Sequence, residues 1–134
     1  MEIFNDKFLQ IQYNEQENIC IANWTVETEK ATDNDFKAWN IELVNIIAEK
    51  KPHGLLANTL NYRFAIHAEL QKWSVTNIFE QYAKAGLTRI AIIVPEEFIA
   101  ELSLEQFVEE YKENKIETQY FSEVKVAENW LIEK

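Results

Sequence analysis

The fold class is decided by the apolar run Thr88-Arg89-Ile90-Ala91-Ile92-Ile93-Val94, which lies between Gly86 and Pro95. An almost wholly apolar run of this length is typical of a β-strand that is covered on both faces. The shorter run Gly54 to Leu60 has the same character, whereas Ile116 to Phe121 alternates apolar and polar residues as an edge strand does. We therefore expect a sheet that has helices on both faces.

Helical patterns separate these predicted strands. Thr32 is a typical N-cap, and the apolar residues that follow it recur at intervals of three and four, which predicts a helix over 33–51 that Pro52 ends. Further helical patterns cover residues 66–85, 96–101, 104–113 and 123–133, the last of them starting from Ser122 and burying Val124, Ala127, Trp130 and Leu131. Strands joined by such helices pair in parallel through right-handed crossovers.

The N-terminal part of the chain predicts a β-hairpin. Phe8 to Tyr13 and Asn18 to Val26 both alternate, and a polar break separates them. The predicted order is ββαβαβαβα, an α/β fold whose mostly parallel sheet has one antiparallel hairpin strand. No linker or repeat divides the chain, so we expect one domain over residues 1–134.

The length, this element order, the stretch from Ala85 to Pro95 and the closing Ala127-Glu128-Asn129-Trp130-Leu131 resemble small bacterial STAS domains of the SpoIIAA-like fold. That fold is related in architecture to CRAL-TRIO lipid-carrier domains. The resemblance spans nearly the whole chain and implies a single STAS-type domain that acts through protein contacts. In family members that antagonise anti-sigma factors, the loop after the central strand carries a phosphorylated serine in Asp-Ser-Ser-Gly. The equivalent residues here, 58–69, contain no serine, which leaves Thr59 as the candidate phosphorylation site.

Charge excludes several partners. Thirteen Lys and Arg residues against twenty-three Asp and Glu residues give a net charge of −10, and no basic stripe is present. Because nucleic-acid binding depends on Lys and Arg, we expect no nucleic-acid partner. The longest apolar run is far shorter than the roughly twenty residues that span a bilayer, and Met1 to Lys7 does not have the pattern of a secretory signal. We expect a cytoplasmic protein without a membrane span.

The rare residues argue against catalysis. Cys20 stands alone in an apolar strand pattern, and His53 and His67 lack the spacing of zinc ligands, so we expect neither a reactive cysteine nor a metal site. The two glycines cannot form a P-loop or a dinucleotide-binding motif, and neither has a neighbouring serine for a hydrolase elbow. The sequence does not exclude a pair of carboxylates that acts in acid–base catalysis, because only the folded geometry could select such a pair. We expect a non-enzymatic protein that needs no cofactor.

Ligands of open α/β sheets usually bind beyond the carboxyl ends of the parallel strands, which here are residues 24–25, 58–63 and 95–97. In the middle segment, Arg63 stands between aromatic residues and could hold an anionic group, and the amides could orient a ligand. The alternative is that the amides only make the turn and Arg63 pairs with a surface acid. The candidate binding residues of this loop are Asn58, Asn61, Tyr62, Arg63 and Phe64.

The segment 66–85 has apolar residues on two opposite faces of a straight helix. Ile66, Leu70 and Trp73 share one face, and a second cluster from Val75 to Tyr82 lies opposite. Either the helix breaks near Ser74, or the first cluster contacts a partner. We expect a regulatory module that binds through this first cluster. Its partner would be a second copy of the chain, which gives a homodimer, or another protein. The alternative is a carrier of small hydrophobic ligands with a pocket near three of the tryptophans, Trp24, Trp39 and Trp73.

Overall fold

The computed structural model describes residues 1–98 and 116–133. A sheet of strands in sequential order forms its centre: β1 (Glu2–Asn5), β2 (Leu9–Asn14), β3 (Ile19–Trp24), β4 (Gly54–Asn58), β5 (Arg89–Ile93) and β6 (Glu117–Phe121). The first three strands are antiparallel, and β3 to β6 are parallel. The helices are α1 (Asp33–Lys50), α2 (Ala68–Ser74), α3 (Glu80–Lys84) and α4 (Val124–Ile132). A π-helical segment, Val75–Phe79, joins α2 to α3, and Val26–Lys30 and Glu96–Phe98 are short 3₁₀ helices.

The mixed α/β class, the hairpin and the parallel strands are confirmed. The predicted order lacked β1, whose pairing with β2 supplies a sixth strand. The start of the last helix was also wrong, because Glu123 rather than Ser122 occupies its N-cap and Val124 is exposed. Of the predicted helix over 96–101, only the 3₁₀ turn Glu96–Phe98 is described, and the helix over 104–113 lies outside the described residues.

Helix α1 covers one face of the sheet. Thr32 and Asp35 form a capping box: the Asp35 amide donates to Thr32 Oγ1 at 3.2 Å, and the Thr32 amide donates to Asp35 Oδ2 at 2.9 Å. The buried face of the helix packs against strand residues such as Leu9, Cys20 and Leu55. The buried residues of α1 are Phe36, Trp39, Leu43, Ile46 and Ile47.

Helix α4 covers the opposite face over β4, β5 and β6. Leu131 is fully buried there, and it approaches Gly54 so closely that a Cβ at position 54 would lie 2.9 Å from Leu131 Cδ2. The Arg89 guanidinium stacks on the Trp130 ring at 4.8 Å and donates to the carbonyls of Trp130 and Glu133 at the end of the helix. The end of α4 is thereby held by a cation, the charge that a helix C-terminus favours.

The π-helical segment explains how both apolar clusters of the segment 66–85 can pack against the same core. The Glu80 amide donates to the Val75 carbonyl, five residues back, so one residue more than in an α-helix is wound into this turn. The extra residue rotates the second cluster by about 100° relative to the first. Leu70, Ile78 and Tyr82 consequently pack into the same core, whereas Val75 is exposed.

We expect deletion of Val75 to leave the protein folded, with a free energy of unfolding within about 1 kcal/mol of the wild type. The deletion converts the π turn into a regular helix and keeps both clusters on one face. An alanine inserted between Ser74 and Val75 is the control, since it rotates Ile78 and Tyr82 out of the core and should cost about 3 kcal/mol. Urea denaturation of both variants measures this, and equal losses would contradict the role of Val75.

Candidate functional site

Four loops meet at the edge of the sheet where the parallel strands end. The Thr25 amide after β3 donates to the carbonyl of Phe8 at 3.0 Å, which joins that loop to the β1–β2 turn. The Arg63 amide after β4 donates to Thr28 Oγ1 at 2.8 Å, and the Thr59 amide donates to the carbonyl of Ile93 at 3.1 Å. We call this edge, with the β1–β2 turn and the loops after β3, β4 and β5, the carboxyl-end surface.

A cluster of packed aromatic rings supports these loops from below. The ring of Tyr62 lies 6.0 Å from Trp24 and 6.2 Å from Trp39, edge to face in both contacts. Phe64 stacks on Phe36 at 5.3 Å and lies 5.8 Å from Trp39. Such pairs stabilise a packed core beyond the area they bury. Tyr62 and Phe64 therefore pack beside Trp24 and Trp39 under the loop after β4.

A row of amide side chains crosses the other face of the sheet at the same edge. Asn58 Nδ2 donates to Asn23 Oδ1 at 3.0 Å, and Asn23 Nδ2 donates to Gln10 Oε1 at 3.1 Å. Gln10 Nε2 in turn donates to Glu2 Oε2 at 2.7 Å. Asn58 Oδ1 also accepts the Leu60 amide at 3.2 Å. Asn58 thus fixes the start of the loop after β4.

The remaining predicted residues of this loop have distinct surroundings. Arg63 Nη1 donates to the carbonyls of Leu60 at 3.1 Å and Tyr62 at 3.2 Å, so the guanidinium closes its own loop, and it forms no ion pair with an acid among the described residues. Thr59 Oγ1 donates to the carbonyl of Ile93 at 2.7 Å. Asn61 is exposed at the tip of the loop.

The first apolar cluster of the segment 66–85 is divided between surface and core. Ile66 is 38% exposed, whereas Leu70 is only 2% exposed. Trp73 is half-buried, lies 6.1 Å from the ring of Phe36 and carries the Lys37 ammonium 5.5 Å above its ring. The predicted binding residues are therefore brought together at one edge of the sheet, with Asn61, Arg63 and Ile66 exposed and the aromatic ones packed beneath them.

Three exposed apolar residues of this surface were missing from the predicted binding residues. Val26, at the start of the 3₁₀ helix after β3, is 53% exposed, and Phe98, after β5, is 48% exposed. Leu60 is 39% exposed and lies with the predicted residue Ile66 on the loop between β4 and α2. Val26 and Leu60 were placed at the ends of predicted strands, whereas β3 and β4 end at Trp24 and Asn58, so both residues lie in loops.

The charge of the carboxyl-end surface is acidic. Glu27 and Glu29 lie on the 3₁₀ helix after β3, and Glu96 and Glu97 lie on the one after β5. Together with Asp6 of the β1–β2 turn, these carboxylates outnumber the cations among the described residues of the four loops, which are Lys7, Lys30 and Arg63.

Burial shifts the pKa of two side chains, Cys20 and Tyr62. Burial raises the pKa of the Cys20 thiol to about 12, so it is not a thiolate at neutral pH. Burial also raises the pKa of the Tyr62 phenol above its usual range, which keeps the phenol protonated. Across residues 1–98 and 116–133, no group of three or more His, Cys, Asp or Glu side chains is placed to hold a metal ion.

Comparison with known proteins finds no matching family model, no matching curated protein and no matching solved structure. Among the described helices, none has both the length and the apolar character needed to cross a membrane.

We expect Tyr62→Phe to raise the free energy of unfolding by about 1 kcal/mol at pH 7, because Tyr62 Oη is buried and has no hydrogen-bond partner in the described part of the chain. The gain should grow above pH 10. In the wild type, the unfolded phenol loses its proton first as the pH rises, and this destabilises the folded state. Urea denaturation at both pH values measures the effect.

Tyr13→Phe is the matched control for the same atomic change. Tyr13 Oη donates to Asn18 Oδ1 at 2.7 Å, so loss of this hydroxyl should destabilise the protein by about 1 kcal/mol. Destabilisation by both substitutions would show that Tyr62 Oη has a partner.

Proposed function

We propose that this protein is a non-enzymatic, cytoplasmic binding or regulatory module that recognises a protein partner through its carboxyl-end surface. The observation that carries the proposal is the placement of Val26, Leu60, Ile66 and Phe98, four exposed apolar residues, on the loops that follow three adjacent parallel strands. Grouped apolar residues with polar neighbours are typical of protein interaction sites. Open α/β sheets also bind their ligands at this edge.

The construction of the loops supports recognition by a preformed surface. The Thr25, Thr59 and Arg63 amides tie the loops to one another, and the aromatic cluster packs against their inner side. A surface that is already ordered loses little conformational entropy on binding, which favours affinity. In this proposal, Asn61, Arg63 and Ile66 contact the partner, whereas Tyr62, Phe64, Leu70 and Trp73 hold the loop in position.

Charge favours a basic partner over a second copy of the chain. A symmetric dimer would bring Glu27, Glu29, Glu96 and Glu97 of one subunit towards the same carboxylates of the other, and both subunits carry a net charge of −10. Like charges that face each other across an interface cost several kcal/mol. A partner with an apolar centre and a Lys- and Arg-rich rim complements this surface.

A STAS-type, SpoIIAA-like domain is part of the same proposal. Its support is the order of alternating strands and helices, the parallel strands β3 to β6 and the position of the loop after β4. The phosphorylation switch of that family has no serine to act on here, and Thr59 uses its hydroxyl to bind the carbonyl of Ile93. Regulation in this protein is therefore proposed to rest on the contact itself.

We test the surface with a photo-crosslinking residue placed at Leu60, Ile66 or Phe98 in the cells that make this protein. Position Val126 on α4 is the matched control, because it is also apolar and 49% exposed but lies on another face. All three positions should capture one common protein that Val126 does not. Equal capture from Val126, or a different protein at each position, would refute the proposal.

Binding of the captured protein, once purified, should be weakened by about tenfold or more in the double variant Leu60→Ser/Phe98→Ser, since apolar anchors dominate interface energies. Val126→Ser should leave the affinity unchanged. Light scattering on the wild type and the double variant tests the homodimer. A wild-type dimer that the double substitution converts to a folded monomer would make a second copy, and not a basic partner, the occupant of the surface.

A further inference from the structure

A cleft of about 220 Å³ opens between the β1–β2 turn and the first half of α1. Phe4, Phe8 and Trp39 contribute rings to it, and Asp6, Asp35 and Glu42 contribute carboxylates. The cleft lies at the same edge of the sheet as the carboxyl-end surface, because Leu9, at the start of β2, pairs with Trp24, at the end of β3.

The aromatic side of the cleft is fixed by the core. Phe8 and Trp39 are both nearly buried, and their ring centroids lie 5.4 Å apart. Trp39 also contacts Phe36 and Phe64, so its indole cannot turn away. Electron-rich rings attract a cation that approaches their faces.

Two of the three carboxylates of the cleft, those of Asp6 and Asp35, are held in place by backbone groups. Asp6 Oδ1 accepts the amides of Phe8 at 2.8 Å and Leu9 at 2.9 Å. Asp35 is fixed by the capping box of α1, and Glu42 follows it two helical turns later on the same face. Within residues 1–98 and 116–133, the ion pairs join His67 to Asp33 and Arg89 to Glu117, and none includes a carboxylate of the cleft.

A cation of the chain itself already uses one of these rings. The Lys7 ammonium lies 5.0 Å above the centroid of the Phe8 ring. An alkylammonium group therefore already lies over a ring that lines the cleft.

We propose that the cleft receives a lysine or arginine side chain of the protein partner. The apolar stem would lie against the Phe4, Phe8 and Trp39 rings, and the charged head would lie among the Asp6, Asp35 and Glu42 carboxylates. The inference rests on the proposed function, because it assigns the cation to the partner that the carboxyl-end surface recognises. It adds a second anchor, which supplies charge recognition beside the apolar contact.

The cleft is tested with N-acetyl-lysine methylamide, and N-acetyl-norleucine methylamide is the neutral control. In NMR titrations, the lysine probe should produce saturable shifts at the Trp39 indole and the Phe8 amide in the millimolar range, and the norleucine probe should not. Equal responses would show that only an apolar groove is present. Tighter binding of tetramethylammonium than of the lysine probe would overturn the inference in favour of a small ammonium ligand.

Glu42→Gln should weaken binding of the lysine probe by about fivefold, the effect expected of one partly exposed charge. Glu42 takes no part in the capping box, so the helix should fold normally. Glu49→Gln is the matched control, since it removes the same charge from an exposed position near the end of α1. Equal losses in both variants would assign the effect to net charge and refute the site.

Lys7→Met should tighten binding of the lysine probe, because it removes the ammonium that competes for the Phe8 ring. Lys84→Met, at the exposed end of α3, makes the same charge change elsewhere and should have a smaller effect. Equal tightening in both variants would contradict competition at the Phe8 ring.

The variants also separate the two proposals. Leu60→Ser/Phe98→Ser should weaken partner binding by about tenfold or more and leave binding of the lysine probe intact. Glu42→Gln should weaken the lysine probe and the partner together. A partner that binds Glu42→Gln as tightly as the wild type would refute the second anchor while leaving the carboxyl-end surface in place.

Discussion

The burial of β4 on both faces is the constraint on which the rest of this structure depends. Leu55 points to one face and Leu56 to the other, and both are almost completely excluded from water. Because the parallel strands follow one another in the sheet, their right-handed crossovers bring α1 and α2–α3 to the same face. The opposite face of β4 is covered by α4, a helix of nine residues. Two features keep this short helix close to the sheet. Gly54 has no side chain that would block Leu131, and Arg89 donates a hydrogen bond to the carbonyl of Trp130 near the end of α4. Where the sheet continues towards β1, the row of linked amides from Asn58 to Gln10 replaces apolar contacts with hydrogen bonds.

The elements that the sequence predicted well are those whose pattern is local. The capping residue Thr32, the spacing from Phe36 to Ile47 and the apolar runs of β4 and β5 need no information from distant residues. Strand β1 could not be predicted in this way, because its short mixed sequence becomes a strand only through pairing with β2. The π-helical turn could not be predicted either, because residues of the sequence are assigned to helix faces with the α-helical period of 3.6 residues per turn. The two apolar faces of the segment 66–85 were a correct observation. Their explanation depended on a winding that only the structure shows.

The candidate site was located by topology more than by residue type. The ends of the predicted parallel strands determined where the site was proposed, and the loop 58–64 lies at that edge with the Asn58 side chain in hydrogen bonds. Exposure could not be predicted, because aromatic residues next to one another in sequence differ in what covers them. Tyr62 and Phe64 turn inward onto Trp39, whereas Leu60 stays in solvent. The cleft was beyond the reach of the sequence, since Phe4 and Glu42 come from different elements and meet only in the fold.

The aromatic cluster connects the stability of the core to the shape of the carboxyl-end surface. Trp39 contacts Phe8 at the cleft, Tyr62 and Phe64 beneath the loop after β4, and Phe36 on its own helix. The buried Trp39 indole therefore contacts both the cleft and the base of the loop after β4. In the proposed interface, this keeps the distance between the apolar contact and the cation contact constant. An interface that presents two preordered anchors loses little entropy when it binds, and it discriminates against partners in which the apolar and basic groups are spaced differently. Because the surrounding field is negative, encounters with a basic partner are steered, whereas encounters between two copies of this chain are opposed. The acidic composition thus becomes a determinant of specificity in the proposed recognition.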